Sequence, residues 1–188
     1  MKATDRLMLI LILLGLASLA CTLSLGAPKT PAPPIPVSTE AVENLEDALK
    51  GAYGQAQQGQ PVTLVIDEPQ LTSLIAFEME KRGQESVRDP QVYLRDGQVQ
   101  VFGTVNYQGV DATASVFLDV NVDAQWKPDF SIASAYFGPF PVPEDILAEI
   151  ESNLDQAFSE QINSISPNLR IESIVIADGK MTITGTAD

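Results

Sequence analysis

Apolar and polar positions recur in the same order at two places in the chain. Residues 92–105 read VYLRDGQVQVFGTV, and residues 174–187 read IVIADGKMTITGTA. In each copy an Asp-Gly pair separates two runs of alternating apolar residues, a pattern that predicts a hairpin with a two-residue turn. With the turn fixing register, Val92, Leu94, Val99 and Val101 share one face, and Tyr93, Arg95, Gln98 and Gln100 share the other. The second copy predicts Ile174, Ile176, Met181 and Ile183 on its inner face. Identity between the copies is confined to Asp96/Asp178, Gly97/Gly179, Gly103/Gly185 and Thr104/Thr186.

The period changes to that of a helix before each hairpin. Ser38 is placed to cap a helix from Thr39 to about Gln57, whose stripe is Val42, Leu45, Leu49, Ala52, Tyr53 and Ala56. A β-branched run at 62–66 follows. Asp67 then opens a second helix as N-cap, with Gln70 in the capping-box position and Leu71, Leu74, Ile75 and Met79 inward. Residues 110–122 alternate cleanly and reach about 43 Å as a strand. After the turn DAQWKPD, a strand at 130–136 is expected to pair back on it. FGPFPVP, at 137–143, cannot sit inside a sheet because its prolines lack ladder donors, so it predicts a stiff aromatic elbow. Beyond it Ile146, Leu147, Ile150, Leu154, Ala157, Phe158, Ile162 and Ile165 make a wide apolar face on a helix of about 34 Å. Glu149, Glu151, Asp155 and Glu160 lie opposite, where solvation is the ordinary explanation.

Helix plus Asp-Gly hairpin thus occurs at 67–105 and again at 143–187. The order predicts an α+β fold, a curved and mostly antiparallel sheet covered on one face by two to three helices, the longest at about 143–165. A cystatin-like sheet wrapped on one helix is the alternative.

Composition adds a location. Lys2 and Arg6 precede an apolar run from Leu7 to Ala20 that ends in small residues directly before Cys21, the composition of a secretion signal. The segment resembles a bacterial lipoprotein signal, which implies cleavage after residue 20, lipid on Cys21 and anchorage to a membrane outside the cytoplasm. An uncleaved anchor over 7–25 is the other reading. Residues 21–37 are rich in proline and predict a tether of up to about 50 Å. Residues 38–188 then form a single domain. With 25 acidic residues, 11 basic ones and no histidine, the surface repels nucleic acid, and the commonest general base and metal ligand are missing. A lone cysteine excludes an intramolecular disulfide.

Chemistry is sparse. Residues 119–123, DVNVD, imitate the start of a calcium loop, but Ala124 replaces its glycine and Phe130 stands at the closing position. There is no phosphate loop, nucleophile elbow or cysteine cluster, and no pair of carboxylates is singled out. The expectation is therefore a protein without enzymatic activity, cofactor or metal. Leu71, Leu74, Ile75, Leu94, Val99, Ile146, Ile150, Leu154 and Phe158 are the candidates to line an apolar groove between helix and sheet. A dry, filled core is the competing reading, in which Trp126, Tyr136, Phe137 and Phe140 serve as a surface for a protein partner.

The helix opening DEPQLTSLI, the first hairpin, the elbow GPFPVP before ILAEIESNLDQAF, and the closing IESIVIADGKMTITGT resemble small bacterial envelope proteins of the LmeA-like and YceB-like kind. These are similar in build to the tubular lipid-binding superfamily. Over about residues 62–187 the resemblance implies a long helix lying in a curved antiparallel sheet, with a lipid or other hydrophobic ligand between them. It carries over no individual ligand residue.

Overall fold

A computed structural model describes residues 28–83, 87–107, 109–148, 151–152 and 169–187. The fold is α+β, with α1 (Thr39–Gln57), β1 (Val62–Asp67), α2 (Glu68–Lys81), β2 (Val87–Arg95), β3 (Gln98–Tyr107), β4 (Val110–Val122), β5 (Pro128–Phe137), β6 (Phe140–Pro141), β7 (Leu169–Ala177) and β8 (Lys180–Ala187) in order. All pairings are antiparallel. The strands divide into two sheets, ordered β2-β3-β4-β5-β6 and β1-β8-β7. The backbone is helical again at 144–148 and 151–152, where the expected long helix begins. Ile150, Leu154 and Phe158, with the rest of that helix, lie outside the described residues.

Local chemistry accounts for the elements. Ser38 accepts a hydrogen bond from the Ala41 amide at the start of α1. At α2 the capping box is complete, since Gln70 N donates to Asp67 Oδ1 and Asp67 N donates to Gln70 Oε1, each at 2.9 Å. Both Asp-Gly turns are left-handed at both residues, with φ of 56° and 76° at Asp96 and Gly97 and 52° and 73° at Asp178 and Gly179. They close the expected registers, Leu94 opposite Val99 and Ile176 opposite Met181.

Each hairpin also carries an irregularity in its first strand, between Arg88 and Gln91 in β2 and between Ile171 and Ser173 in β7. A glycine lies across from each. A Cβ on Gly185 would overlap the Arg170 carbonyl oxygen, and one on Gly103 would lie 2.9 Å from Val87 Cγ1. The repeat therefore includes the glycine that lets the strands approach at the irregularity.

Three expectations change. In α1 the expected Leu45 and Ala56 are buried and Val42 and Ala52 half-buried, but Leu49 and Tyr53 are 43% and 41% exposed, and Ala41, outside the expected stripe, is buried. Tyr93 and Gln100, on the face expected to meet solvent, are buried as well, so β2 and β3 have both faces covered there. One proline of the elbow, Pro141, does enter a sheet, but only in the two-residue edge strand β6 (Phe140–Pro141), the position where a missing donor costs least.

Candidate functional site

The two hairpins meet at Leu94. This side chain is 0% exposed and clusters with Val120 and Ile176, with Leu71, Val99, Phe130, Ile174 and Met181 packed against them. Leu94 and Ile176 are corresponding positions in the two copies, so the repeated inner faces pack on each other. Of the predicted groove residues, Leu71, Leu94 and Val99 are thus brought together in a filled core. Leu74 and Ile75 are half-buried on α2, and Ile146 is 47% exposed.

Polar side chains that the sequence reading passed over seal the sheet edges around this core. β2 is the outer strand of the five-stranded sheet. Its Val92 amide donates to Thr72 Oγ1 at 3.0 Å, and its Leu94 amide donates to Glu68 Oε1 at 2.9 Å. The Leu94 carbonyl accepts from Gly179 N, and the Gly179 carbonyl accepts from Glu68 N, both at 3.2 Å. Helix α2 and the second Asp-Gly turn therefore supply the partners that another strand would otherwise give. Glu68 also accepts from Arg95 Nε at 3.3 Å, and the Arg95 guanidinium lies 4.6 Å from the Tyr93 ring centroid.

On the other side of that sheet, Glu151 accepts a hydrogen bond from the Ile132 amide, and Val142 N donates to the Ala135 carbonyl at 2.9 Å. Glu151 is therefore not a merely solvated member of its helix. The signal for Thr72 and Ser73 was available, two polar residues inside the apolar stripe of α2, and both are fully buried. Glu68 and Glu151 gave no such sign, because their partners are backbone amides that any sequence provides.

The three-stranded sheet covers one end of the apolar face of the five-stranded sheet. The register continues that face through Val101, Val116 and Ala135, and then through Ala114 and Phe137. Ala135 is buried, and Val101, Val116, Ala114 and Phe137 are half-buried. Glu151, in the helical residues 151–152, lies on the β5 side of this region through its bond to Ile132. The opposite face carries an edge-to-face aromatic row in which Tyr93 meets Phe102, Phe102 meets Phe117 and Phe117 meets Tyr136, at 5.8, 5.8 and 6.4 Å between centroids.

Of the aromatics proposed for a partner surface, Trp126 and Phe140 are 48% and 67% exposed, while Tyr136 and Phe137 are half-buried. They do not form one patch. Trp126 sits in the β4–β5 turn, where its carbonyl accepts from Ile171 N at 2.9 Å, and Phe140 sits beyond the other end of β5.

An open, polar cleft of about 510 Å³ lies where the turns approach, lined by Glu68, Leu94, Arg95, Asp96, Asp178 and Gly179. In the calcium-like segment, Asp119 Oδ1 accepts from Gln98, and Asp123 Oδ1 accepts from the amides of Gln125 and Lys127. Those carboxylates are engaged in sheet and turn. Among the described residues no group of three or more acidic, cysteine or histidine side chains is placed to hold a metal ion, and no helix is long and apolar enough to cross a membrane. No family model, curated protein or solved structure matches the chain.

Proposed function

We propose that the protein is an extracytoplasmic lipoprotein, anchored to a membrane through lipid on Cys21, that binds a lipid or other hydrophobic ligand between helix and sheet. The observation that supports this best is the half-buried apolar region of Val101, Val116, Ala114 and Phe137, beyond the part of the sheet that Leu94 and Ile176 fill. Sites for small apolar ligands are concave and mostly apolar, and an acyl chain needs no catalytic group or cofactor. The ligand region is accordingly placed toward Val101 and Val116, away from Leu71, Leu94 and Val99.

Native mass spectrometry of the chain lacking residues 1–21, before and after exposure to a mixed lipid extract, tests the reading. A bound apolar molecule, lost on replacing Val116→Trp with the circular dichroism spectrum unchanged, is the expected result. Failure to recover or load any lipid would leave the second reading, an envelope interaction protein with a filled core, which the packed Leu71–Leu94–Val99 cluster and the exposed Trp126 and Phe140 favour.

A further inference from the structure

The end of the proline-rich segment lies against the body of the domain. The Tyr93 hydroxyl donates to the Pro31 carbonyl at 2.8 Å. The Gln91 side-chain amide uses both its ends on one residue, its Oε1 accepting from Ile35 N at 2.6 Å and its Nε2 donating to the Ile35 carbonyl at 3.2 Å. Ser73 Oγ accepts from Ser38 N at 3.0 Å. The three body residues are all buried.

We propose that the flank formed by Gln91, Tyr93 and Ser73 is a docking site for an extended, proline-rich segment, occupied by the chain's own residues 31–38, and that this docking shortens the tether. The inference rests on the membrane anchorage proposed above. Its chemistry is specific to such a segment. In residues 31–36, PAPPIP, only Ala32 and Ile35 have an amide hydrogen, and the Ile35 hydrogen is the one that Gln91 accepts. The other two contacts of residues 31–36 use the carbonyls of Pro31 and Ile35, a group that proline keeps. Prolines also limit the conformations of the undocked segment, so holding it costs less entropy than holding an ordinary chain.

The consequence is a shorter reach. From Cys21 to Ser38 a fully extended chain spans at most about 60 Å, but from Cys21 to Pro31 only about 35 Å. The domain is thereby kept close to the membrane.

The test uses the full lipidated chain. Hydrogen exchange reads the docking directly, with the Ile35 amide protected in the native protein and exchanging at least tenfold faster in Gln91→Ala, while Val101 on β3 is unchanged. Ile35→Pro deletes the donor from the strap without touching the body, which guards against misfolding of the first variant. On phosphatidylcholine vesicles carrying a dansyl-labelled lipid, energy transfer from Trp126, the only tryptophan, is expected to fall in both variants. An Ile35 amide that exchanges at the free-chain rate in the native protein overturns the docking. Equal energy transfer from native and variant chains, all bound to vesicles, overturns the shortened tether. A native chain that stays in solution, with Ile35 protected, instead refutes the anchorage and leaves the docking site standing.

Discussion

The two Asp-Gly hairpins share a turn geometry, a register and a glycine opposite an irregular first strand, yet they do different things. The first turn has open space at its glycine, with no atom within 4 Å of where a Cβ on Gly97 would stand. The second is docked, its Gly179 amide and carbonyl tying Leu94 to Glu68 and placing the Glu68 carboxyl carbon 3.5 Å from the same construction. The strands differ too. β2 is sealed by Thr72 and Glu68 of the preceding helix, whereas Ile171 of β7 donates to the carbonyl of Trp126, from a turn in the other sheet. A short motif can thus set a turn without deciding whether that turn becomes a joint.

The largest expected contrast lies at the paired glycines. Gly185→Ala forces a methyl group against the Arg170 backbone and within 3.3 Å of Ile171 Cα, where nothing flexible can yield. It is expected to cost about 3 kcal/mol in urea denaturation, at the upper end of overpacking effects. Gly103→Ala meets the end of a valine side chain instead and is expected to cost about 1 kcal/mol. Equal losses would mean that the two irregular strands are equivalent.

A smaller effect isolates the joint. Glu68→Ala leaves the Leu94 amide without its acceptor at a site where the glutamate side chain is only 14% exposed. A loss of about 2 kcal/mol is expected for a buried donor that had a charged partner. The amide of Gly179 should exchange faster in this variant while that of Gly97 is unaffected. Identical behaviour at both turns would remove the distinction between them.

The smallest effect is a pH dependence at the first hairpin. Burial pushes the Tyr93 phenol above its ordinary range, with the Arg95 guanidinium pulling down against it and Glu68 adding to the rise. The folded protein thus favours the neutral phenol, which is also the form that donates to Pro31. Its contribution is present in full below pH about 10 and is lost as pH rises through the raised value. Thermal denaturation of the native chain and of Tyr93→Phe between pH 8 and about 11 checks this. The native chain should lose more stability than the variant over the alkaline part, and parallel curves would count against it.

Much of the fold was legible because its signals are local. Asp-Gly between alternating runs specified both turns and registers, Asp67 with Gln70 specified the start of α2, and the alternation of residues 110–122 specified β4 with the same bounds. The α1 stripe holds at Leu45 and Ala56 but omits Ala41, because a lone alanine carries little hydrophobic weight in a periodicity, although it is what fits where a helix packs closely. The candidate site was less legible. Leu71, Leu94 and Val99 share faces that pattern analysis assigns inward, but whether such a face meets a ligand or another sheet depends on packing between distant segments.

By itself the sequence determined the α+β class, the two equivalent turns, the capped helices and the proline-rich stretch, since each follows from preferences that act within a few residues. Only the tertiary structure decided that the strands divide into two sheets, that Leu94 packs on Ile176, that Glu68 and Glu151 serve backbone amides at the two sides of the five-stranded sheet, and that residues 31–38 lie along the domain. Those outcomes depend on which buried donors and acceptors are left unpaired once the sheets have formed, and the nearest available partner is then fixed in space rather than along the chain.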